Sequence, residues 1–251
     1  MENFSRITLA DVPCLQFEPT QPEPAGNVLL YHGWASTIDR YIFFASQIAC
    51  WGYRVIVPEL PHHGQRGTLD YGDRQALVQH FWSIVRQAAA EAQAIARIAG
   101  SSQDTSRTVP LAIIGHSTGG FIASSAFARA AAVQTAIVIN GSCAWVRCEE
   151  LFREMFGMPA MAPAEREALT ADDPLTHLIE WEAGRGLLLL HGQADATVPI
   201  ESQRYFIQAL SHCGIPADQL QFIEHPNVNH HITLAMLEQS KAWLDRHLSS
   251  T

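Results

Sequence analysis

A serine in a glycine-flanked turn is the first feature of this sequence that could do chemistry. The segment Gly115-His116-Ser117-Thr118-Gly119 follows the short apolar run 111–114 and precedes a helical stretch. An apolar run that ends abruptly in this pattern is typical of a buried strand that turns at once into a helix, with the serine at the tip of the turn. Glycines are needed on either side because a Cβ would collide with the neighbouring strand or helix. Ser117 is therefore the candidate nucleophile.

A serine hydroxyl is a weak nucleophile at neutral pH, so an imidazole must take its proton and a carboxylate must orient that imidazole. Asp195 follows the apolar run 187–190, and His230 precedes the last helical stretch, which gives the chain order Ser, Asp, His. His231 is adjacent, and only one of the two histidines can face Ser117. The position of His230 at the end of its loop favours His230. A helix cap is the alternative for Asp195, and a paired-histidine metal site is the alternative for the histidines, although ligands on successive residues point apart.

Acyl transfer also requires donors for the negatively charged oxygen of the tetrahedral intermediate, usually two backbone N–H groups. We expect one from Thr118, where the helix dipole adds positive potential. The other is expected from Trp34, in the loop after the apolar strand at 28–31. His32, in the same loop, is interpreted as a structural histidine that holds the loop.

Four further side chains are predicted to bind substrate: His116, Cys143, Trp145 and Phe156. For Cys143 the alternative is a small thiol at the edge of the core. The apolar residues after position 140 could form an acyl pocket or could pack the segment onto the core: Trp145, Phe152, Met155, Phe156, Met158, Met161, Leu178 and Trp181.

The elements that must position these residues alternate between strand and helix patterns. This alternation predicts an α/β fold, with a mostly parallel central sheet and helices on both faces. Residues 7–17 fit antiparallel edge strands, and Ser36 has the spacing of a helix N-cap. Between about 141 and 185 the alternation lapses into helical segments, with Asp173 as a cap. We interpret 1–251 as a single domain whose short helical lid is inserted at about 141–185.

The composition excludes several classes of function. There are 25 acidic and 16 basic residues without a Lys/Arg cluster, so nucleic acid and anionic membrane surfaces are not expected partners. The N-terminus lacks the pattern of a signal peptide and no apolar run is long enough to cross a bilayer, so we expect a cytoplasmic protein. Five scattered cysteines without a Cys-x-x-Cys pair indicate neither a disulfide framework nor a zinc site.

The order and type of these motifs resemble the α/β-hydrolase superfamily over nearly the whole chain. The matching segments are His32-Gly33-Trp34, 115–120, 191–199 and 229–231. Within it, residues 53–66 resemble small bacterial carboxylesterases near the dienelactone hydrolases and prolyl-oligopeptidase-type domains. The resemblance implies a triad of Ser117, Asp195 and His230. Dienelactone hydrolases have cysteine at the elbow, which argues against that activity, and Glu59 stands where Asp is common.

We therefore expect a serine esterase that hydrolyses small-molecule carboxylic esters with short to medium acyl groups through an acyl-enzyme, without metal or organic cofactor. Thioesterase, lactonase, amidase and carbon–carbon bond hydrolase activities use the same residues and remain alternatives. A receptor that binds a ligand and turns it over slowly is the alternative from another class. The sequence does not indicate an oligomeric state.

Overall fold

The computed structural model describes residues 4–101 and 109–248 and is built around an eight-stranded sheet. The strand order is β1-β2-β4-β3-β5-β6-β7-β8. The strands are β1 (Phe4–Leu9), β2 (Val12–Phe17), β3 (Asn27–Tyr31), β4 (Arg54–Pro58), β5 (Leu111–His116), β6 (Thr135–Ile139), β7 (Gly186–Gly192) and β8 (Leu220–His225). Strand β2 runs antiparallel to β1 and to β4, and all other neighbours are parallel. The predicted antiparallel edge strands are thus confirmed.

Helices cover both faces of this sheet. They are α1 (Ile42–Cys50), α2 (Arg74–Ala99), α3 (Thr118–Arg129), α4 (Trp145–Phe156), α5 (Pro163–Asp172), α6 (Pro174–Leu178), α7 (Glu201–Leu210) and α8 (Leu234–His247). Helices α1 and α8 contribute to one core, and α2, α3 and α7 contribute to the other. Strands β3, β6 and β7 are buried throughout, which explains their continuous apolar composition. The α/β-hydrolase fold predicted from the sequence is confirmed.

The start of α1 differs from the prediction. Ser36 is not the N-cap; a 3₁₀ turn at Ile38–Tyr41 comes first, and its N-cap, Thr37, makes no side-chain hydrogen bond. The acidic residue expected to complete a capping box, Asp39, instead accepts a hydrogen bond from Arg6 of β1 at 2.6 Å. The carboxylate is therefore engaged by a neighbouring strand rather than by the helix end.

Helices α4, α5 and α6 occupy the segment between β6 and β7. Asp173 caps α6 as predicted, since its carboxylate accepts hydrogen bonds from Leu175 N at 3.0 Å and from Val146 N at 2.8 Å. The second of these bonds also joins the start of α6 to the start of α4. Asp172 is paired with Arg86 of α2 at 2.5 Å and with Arg129 of α3 at 3.1 Å. These contacts hold the inserted helices against α2 and α3.

Within the described ranges, no helix combines the length and the apolar character that crossing a bilayer would need.

Candidate active site

Ser117 lies in a tight turn between β5 and α3. Its backbone has φ +57° and ψ −124°, in the left-handed region that non-glycine residues rarely adopt. A Cβ on Gly115 would lie 1.9 Å from the carbonyl oxygen of Gly119, and a Cβ on Gly119 would lie 2.2 Å from that of Tyr31. Only glycine allows strand and helix to approach this closely. The turn therefore holds the Ser117 hydroxyl at the carboxyl end of the sheet.

Three side chains predicted from the sequence are brought together at this turn. His230 Nε2 lies 2.8 Å from Ser117 Oγ, and His230 Nδ1 lies 2.8 Å from Asp195 Oδ2. Because the carboxylate can only accept, Nδ1 carries the hydrogen and Nε2 is left to accept the Ser117 hydroxyl proton. The side chain of His231 is not part of this chain of hydrogen bonds, and His231 is exposed.

The carboxylate of Asp195 is fixed by several donors. Burial raises its pKa, but hydrogen bonds from His191 and His230 outweigh this and hold the pKa of Asp195 well below its usual range. The other oxygen, Oδ1, accepts from Thr197 N at 2.8 Å and from Val198 N at 2.9 Å. Asp195 is therefore an ionised, fully hydrogen-bonded acceptor for His230.

His191 is a residue that the sequence reasoning did not single out. Its Nε2 lies 3.3 Å from Asp195 Oδ2 and 3.0 Å from the Val198 carbonyl oxygen. Both the ring and the carboxylate it contacts are buried. The signal available in the sequence was the four-residue spacing of His191 and Asp195 across the end of an apolar strand.

Asn140 is a second residue that the sequence reasoning missed. It is buried at the end of β6, and its Oδ1 accepts a hydrogen bond from Gly192 N at 2.9 Å. Its Nδ2 donates to the His231 carbonyl oxygen at 3.3 Å. One amide thus connects the strand end that leads to Asp195 with the loop that carries His230.

The loop after β3 approaches Ser117 closely. A Cβ on Gly33 would lie 3.1 Å from Ser117 Cβ and 3.5 Å from Ser117 Oγ, so glycine permits this approach. The next residue, Trp34, donates its backbone N–H to Thr118 Oγ1 at 3.1 Å. Thr118 is the first residue of α3, so its own N–H has no partner within the helix. The two N–H groups predicted to stabilise an oxyanion therefore belong to Trp34 and Thr118, which contact each other beside Ser117.

His32 and Glu59 lie beneath this loop. His32 Nε2 is 3.0 Å from Glu59 Oε1, and His32 Nδ1 is 3.0 Å from the Gly33 carbonyl oxygen. Glu59 Oε1 also accepts from Ile38 N at 3.3 Å. These contacts agree with the structural role predicted for His32. They also show that Glu59, whose role the sequence did not indicate, contacts His32 and Ile38.

Ser117 and Thr118 open into a cavity of about 560 Å³ between α2, α4 and the segment that follows α4. Its apolar wall includes Trp34, Leu77, Val78, Phe81, Trp82, Phe121, Phe152, Met155, Phe156, Met158, Met161 and Leu169. Edge contacts between Phe81 and Phe121, with ring centroids 5.2 Å apart, shape the part of the wall formed by α2 and α3. The volume lies within the range of small-molecule binding pockets.

Of the four residues predicted to bind substrate, Phe156 lines this cavity, and the other three predictions are corrected. His116 points to the opposite face of the sheet, because alternation along β5 places it on the side of Ile114. There it is hydrogen-bonded with Tyr41 Oη at 3.1 Å. Burial, followed by the charge of His230, lowers the pKa of His116 to about 3.

Cys143 and Trp145 lie in the protein interior. Cys143 is fully buried, and its backbone N–H donates to Gln203 Oε1 at 3.0 Å. Trp145 begins α4, and its ring faces the core, with its centroid 5.4 Å from that of Trp82. For Cys143 and Trp145, therefore, core packing is the observed role.

No cluster of three or more histidine, cysteine, aspartate or glutamate side chains suited to a metal ion occurs among residues 4–101 and 109–248.

Comparison with known proteins identifies a family, a relative and solved structures of the same fold. The model of the family Hydrolase_4, described as serine aminopeptidase, S33, matches residues 22–170. Esterase YjfP of Escherichia coli (strain K12) is 32% identical over 253 residues, which cover 96% of this chain and 97% of that protein. The crystal structure of TT1662 from Thermus thermophilus superposes with a TM-score of 0.80 at 22% identity, over 99% of this chain and 98% of that one. The esterase domain of a Rhodothermus marinus protein gives a TM-score of 0.65 at 17% identity, over 98% of each chain.

Proposed function

Because the chain belongs to the Hydrolase_4 family (serine aminopeptidase, S33), we propose that it is a serine esterase that hydrolyses small carboxylic esters. The observation that carries this proposal is the chain of 2.8 Å contacts from Ser117 through His230 to Asp195, together with the apolar cavity that Ser117 lines. The 32% identity to an esterase over almost the whole chain supports the same reaction class.

In the proposed first step, Ser117 Oγ attacks the ester carbonyl carbon while His230 Nε2 takes the hydroxyl proton. The carbonyl π electrons move to oxygen, and the resulting oxyanion accepts hydrogen bonds from the N–H groups of Trp34 and Thr118. Collapse of this intermediate breaks the bond to the alcohol oxygen, which leaves with the proton from His230. The product of this step is an acyl group on Ser117.

In the second step, water replaces the alcohol. His230 removes a proton from the water as it attacks the acyl carbon, and a second tetrahedral intermediate forms at the same donors. Its collapse returns the proton to Ser117 Oγ and releases the carboxylic acid. Asp195 keeps Nδ1 of His230 protonated, and it stabilises the His230 imidazolium that forms in both steps.

The apolar lining of the cavity favours binding of an apolar acyl group of the substrate. Its two acidic side chains already have cationic or N–H partners: Glu149 accepts from Arg153 Nε at 2.6 Å and from Trp82 Nε1 at 2.8 Å. Glu165 accepts from Ala162 N at 2.8 Å and lies 3.3 Å from Arg153. A substrate ammonium group would have to displace these partners, so the cavity favours an ester over an amino-terminal peptide. The enclosing helices favour short to medium acyl chains.

A panel of p-nitrophenyl esters with acetyl, butyryl, octanoyl and palmitoyl groups tests this proposal, together with the p-nitroanilides of the first two acids. We expect turnover of the esters, with the maximum below palmitoyl, and much slower turnover of the anilides. Intact-mass labelling by a fluorophosphonate should modify the parent protein but not Ser117→Ala, and the variant should lose hydrolysis by several orders of magnitude. A rate of hydrolysis that rises steadily from acetyl to palmitoyl esters would contradict the proposed range of acyl chains. Equal rates of hydrolysis in Ser117→Ala and the parent protein would overturn the mechanism. A burst of product without further turnover would instead indicate a receptor.

A further inference from the structure

The side chain of Thr118 occupies a position that its role as a backbone donor does not require. Its Oγ1 accepts the Trp34 backbone N–H at 3.1 Å, and the residue is 1% exposed. Trp34, Ser117 and Thr118 all line the same cavity. Since Oγ1 is three bonds from Thr118 N, the hydroxyl lies beside both of the N–H groups that the proposed mechanism assigns to the oxyanion.

The hydrogen of this hydroxyl is unused. Among residues 4–101 and 109–248, Thr118 Oγ1 accepts the bond from Trp34 and donates none. Two other buried helical hydroxyls donate to a carbonyl of the preceding turn: Ser124 to Phe121 O and Ser240 to Met236 O, each at 2.7 Å. Thr118 is the first residue of α3 and has no preceding helical turn to donate to. Its O–H is therefore free to donate into the cavity.

We infer that the Thr118 hydroxyl is a third donor to the oxyanion, an inference that rests on the esterase function proposed above. When the substrate carbonyl oxygen enters, it takes over the Trp34 N–H, and Thr118 Oγ1 turns its O–H toward that oxygen. No covalent bond at Thr118 forms or breaks. The hydrogen bond strengthens as negative charge develops, because a donor bonds an ionised oxygen more strongly than a neutral one. Its contribution is therefore greatest in the transition state and belongs in kcat rather than in KM.

The test compares Thr118→Val, which removes the hydroxyl at constant shape, with Thr118→Ser, which keeps it. Loss of one oxyanion donor costs roughly 10²–10³-fold in kcat, and a hydroxyl that assists two N–H groups is expected to cost about 10–100-fold. We expect this fall in kcat for Thr118→Val, a KM within about threefold of the parent, and recovery of most of kcat in Thr118→Ser. Thr170→Val is the matched control, because the Thr170 hydroxyl donates to Arg166 O on α5, away from the cavity.

A second readout separates a donor from a residue that only positions the loop. Ser117 Oγ adds to the carbonyl carbon of a trifluoromethyl ketone, its proton passes to His230, and the adduct carries an oxyanion. The affinity for this ketone should therefore fall in Thr118→Val by the same factor as kcat. The affinity of the corresponding methyl ketone, a neutral ground-state mimic, should change by less than about threefold. Thr118→Ala provides the same comparison if the valine variant fails to fold.

Several outcomes would overturn the inference. Parent-like kcat in Thr118→Val, an equal loss in Thr118→Ser, or an equal loss of affinity for both ketones would each remove the hydroxyl from oxyanion stabilisation. Faster turnover in Thr118→Val would mean that the hydroxyl competes with substrate for the Trp34 N–H. A parent protein that hydrolyses no ester and resists the fluorophosphonate would overturn the esterase proposal itself, whereas an active parent with an equally active valine variant would overturn this inference alone.

Discussion

His32 and Glu59 form a buried contact, with Nε2 and Oε1 3.0 Å apart, directly beneath the loop that carries Trp34. The two side chains are 0% and 2% exposed. They join the end of β3 to the end of β4, and the other nitrogen of His32 faces the Gly33 carbonyl oxygen. A carboxylate directly after the neighbouring strand β4 thus contacts the loop that carries a predicted oxyanion donor. Glu59 therefore acts through His32 and is a positioning residue.

Replacing Glu59 by Ala should lower both stability and turnover. Removal of the carboxylate leaves the buried Ile38 N–H without its acceptor and removes the contact of Glu59 with the His32 ring, which costs about 2 kcal/mol of unfolding free energy. A loop shift of a fraction of an ångström should reduce kcat by roughly tenfold or more. Urea denaturation and steady-state kinetics measure the two effects. Exposed Glu238 on α8, changed to Ala, is the control. A kcat equal in Glu59→Ala and Glu238→Ala would refute the positioning role.

His230 and His231 should differ sharply on replacement by Ala. His230 contacts both Ser117 and Asp195, so its loss should reduce kcat by at least about 10³-fold, as for other members of such triads. His231 is exposed, and its backbone carbonyl, which Asn140 binds, survives the substitution. We expect His231→Ala to retain activity within about threefold. A greater loss at His231 than at His230 would reverse the assignment.

The sequence predicts most of the fold because most local signals agree with the tertiary arrangement, the start of α1 being an exception. Continuous apolar runs mark β3, β5, β6 and β7, and Gly115 and Gly119 mark the turn at Ser117, since no other residue fits there. Sequence order and loop position are also sufficient to select the three side chains that the structure brings together.

The errors at the candidate site concern the direction in which side chains point. His116 is next to Ser117 in sequence, but the two-residue period of β5 turns it to the other face of the sheet. Trp145 lies in the inserted segment, yet it belongs to the inner face of α4. Contacts between distant segments, such as Asn140 with Gly192, have no local pattern at all, so the sequence could not indicate them.

Asn140→Ala should weaken catalysis more than substrate binding. The buried amide joins Gly192 N and the His231 carbonyl, and its loss leaves both groups unpaired near the loops that carry Asp195 and His230. We expect kcat to fall about 10–100-fold with little change in KM, because misplacement of the proton-transfer groups affects the reaction rather than the cavity. Asn140→Asp, which keeps the acceptor for Gly192 but not the donor, should be intermediate only if both bonds matter. Parent-like kcat in the alanine variant would exclude this role.

Phe152→Ala should extend the range of acyl chains. Phe152 of α4 lines the cavity, with its ring centroid 6.0 Å from that of Phe81 and 6.4 Å from that of Phe121. Removing the ring enlarges the cavity, and each additional buried methylene of the substrate gains about 0.8 kcal/mol where space permits. The ratio of kcat/KM for octanoyl to butyryl esters should therefore rise severalfold. Phe43→Ala, at an exposed position on α1, is the control, and an unchanged ratio in Phe152→Ala would place the acyl chain elsewhere.

The buried ring of His116 should make the protein less stable in acid. Its pKa in the folded state is about 3, lowered from 6.5 first by burial and then by the charge of His230. Between these two values the unfolded chain binds a proton that the folded chain does not, so the unfolding free energy falls as the pH falls through this range. His116→Gln removes the group that binds this proton in the unfolded chain. The slope of unfolding free energy against pH, between about pH 4 and pH 6, should therefore decrease by up to about 1.4 kcal/mol per pH unit.

Urea denaturation across this pH range measures the slope, with exposed His212→Gln as the control. An equally steep slope in His116→Gln and parent would show that His116 is not the group that titrates on unfolding.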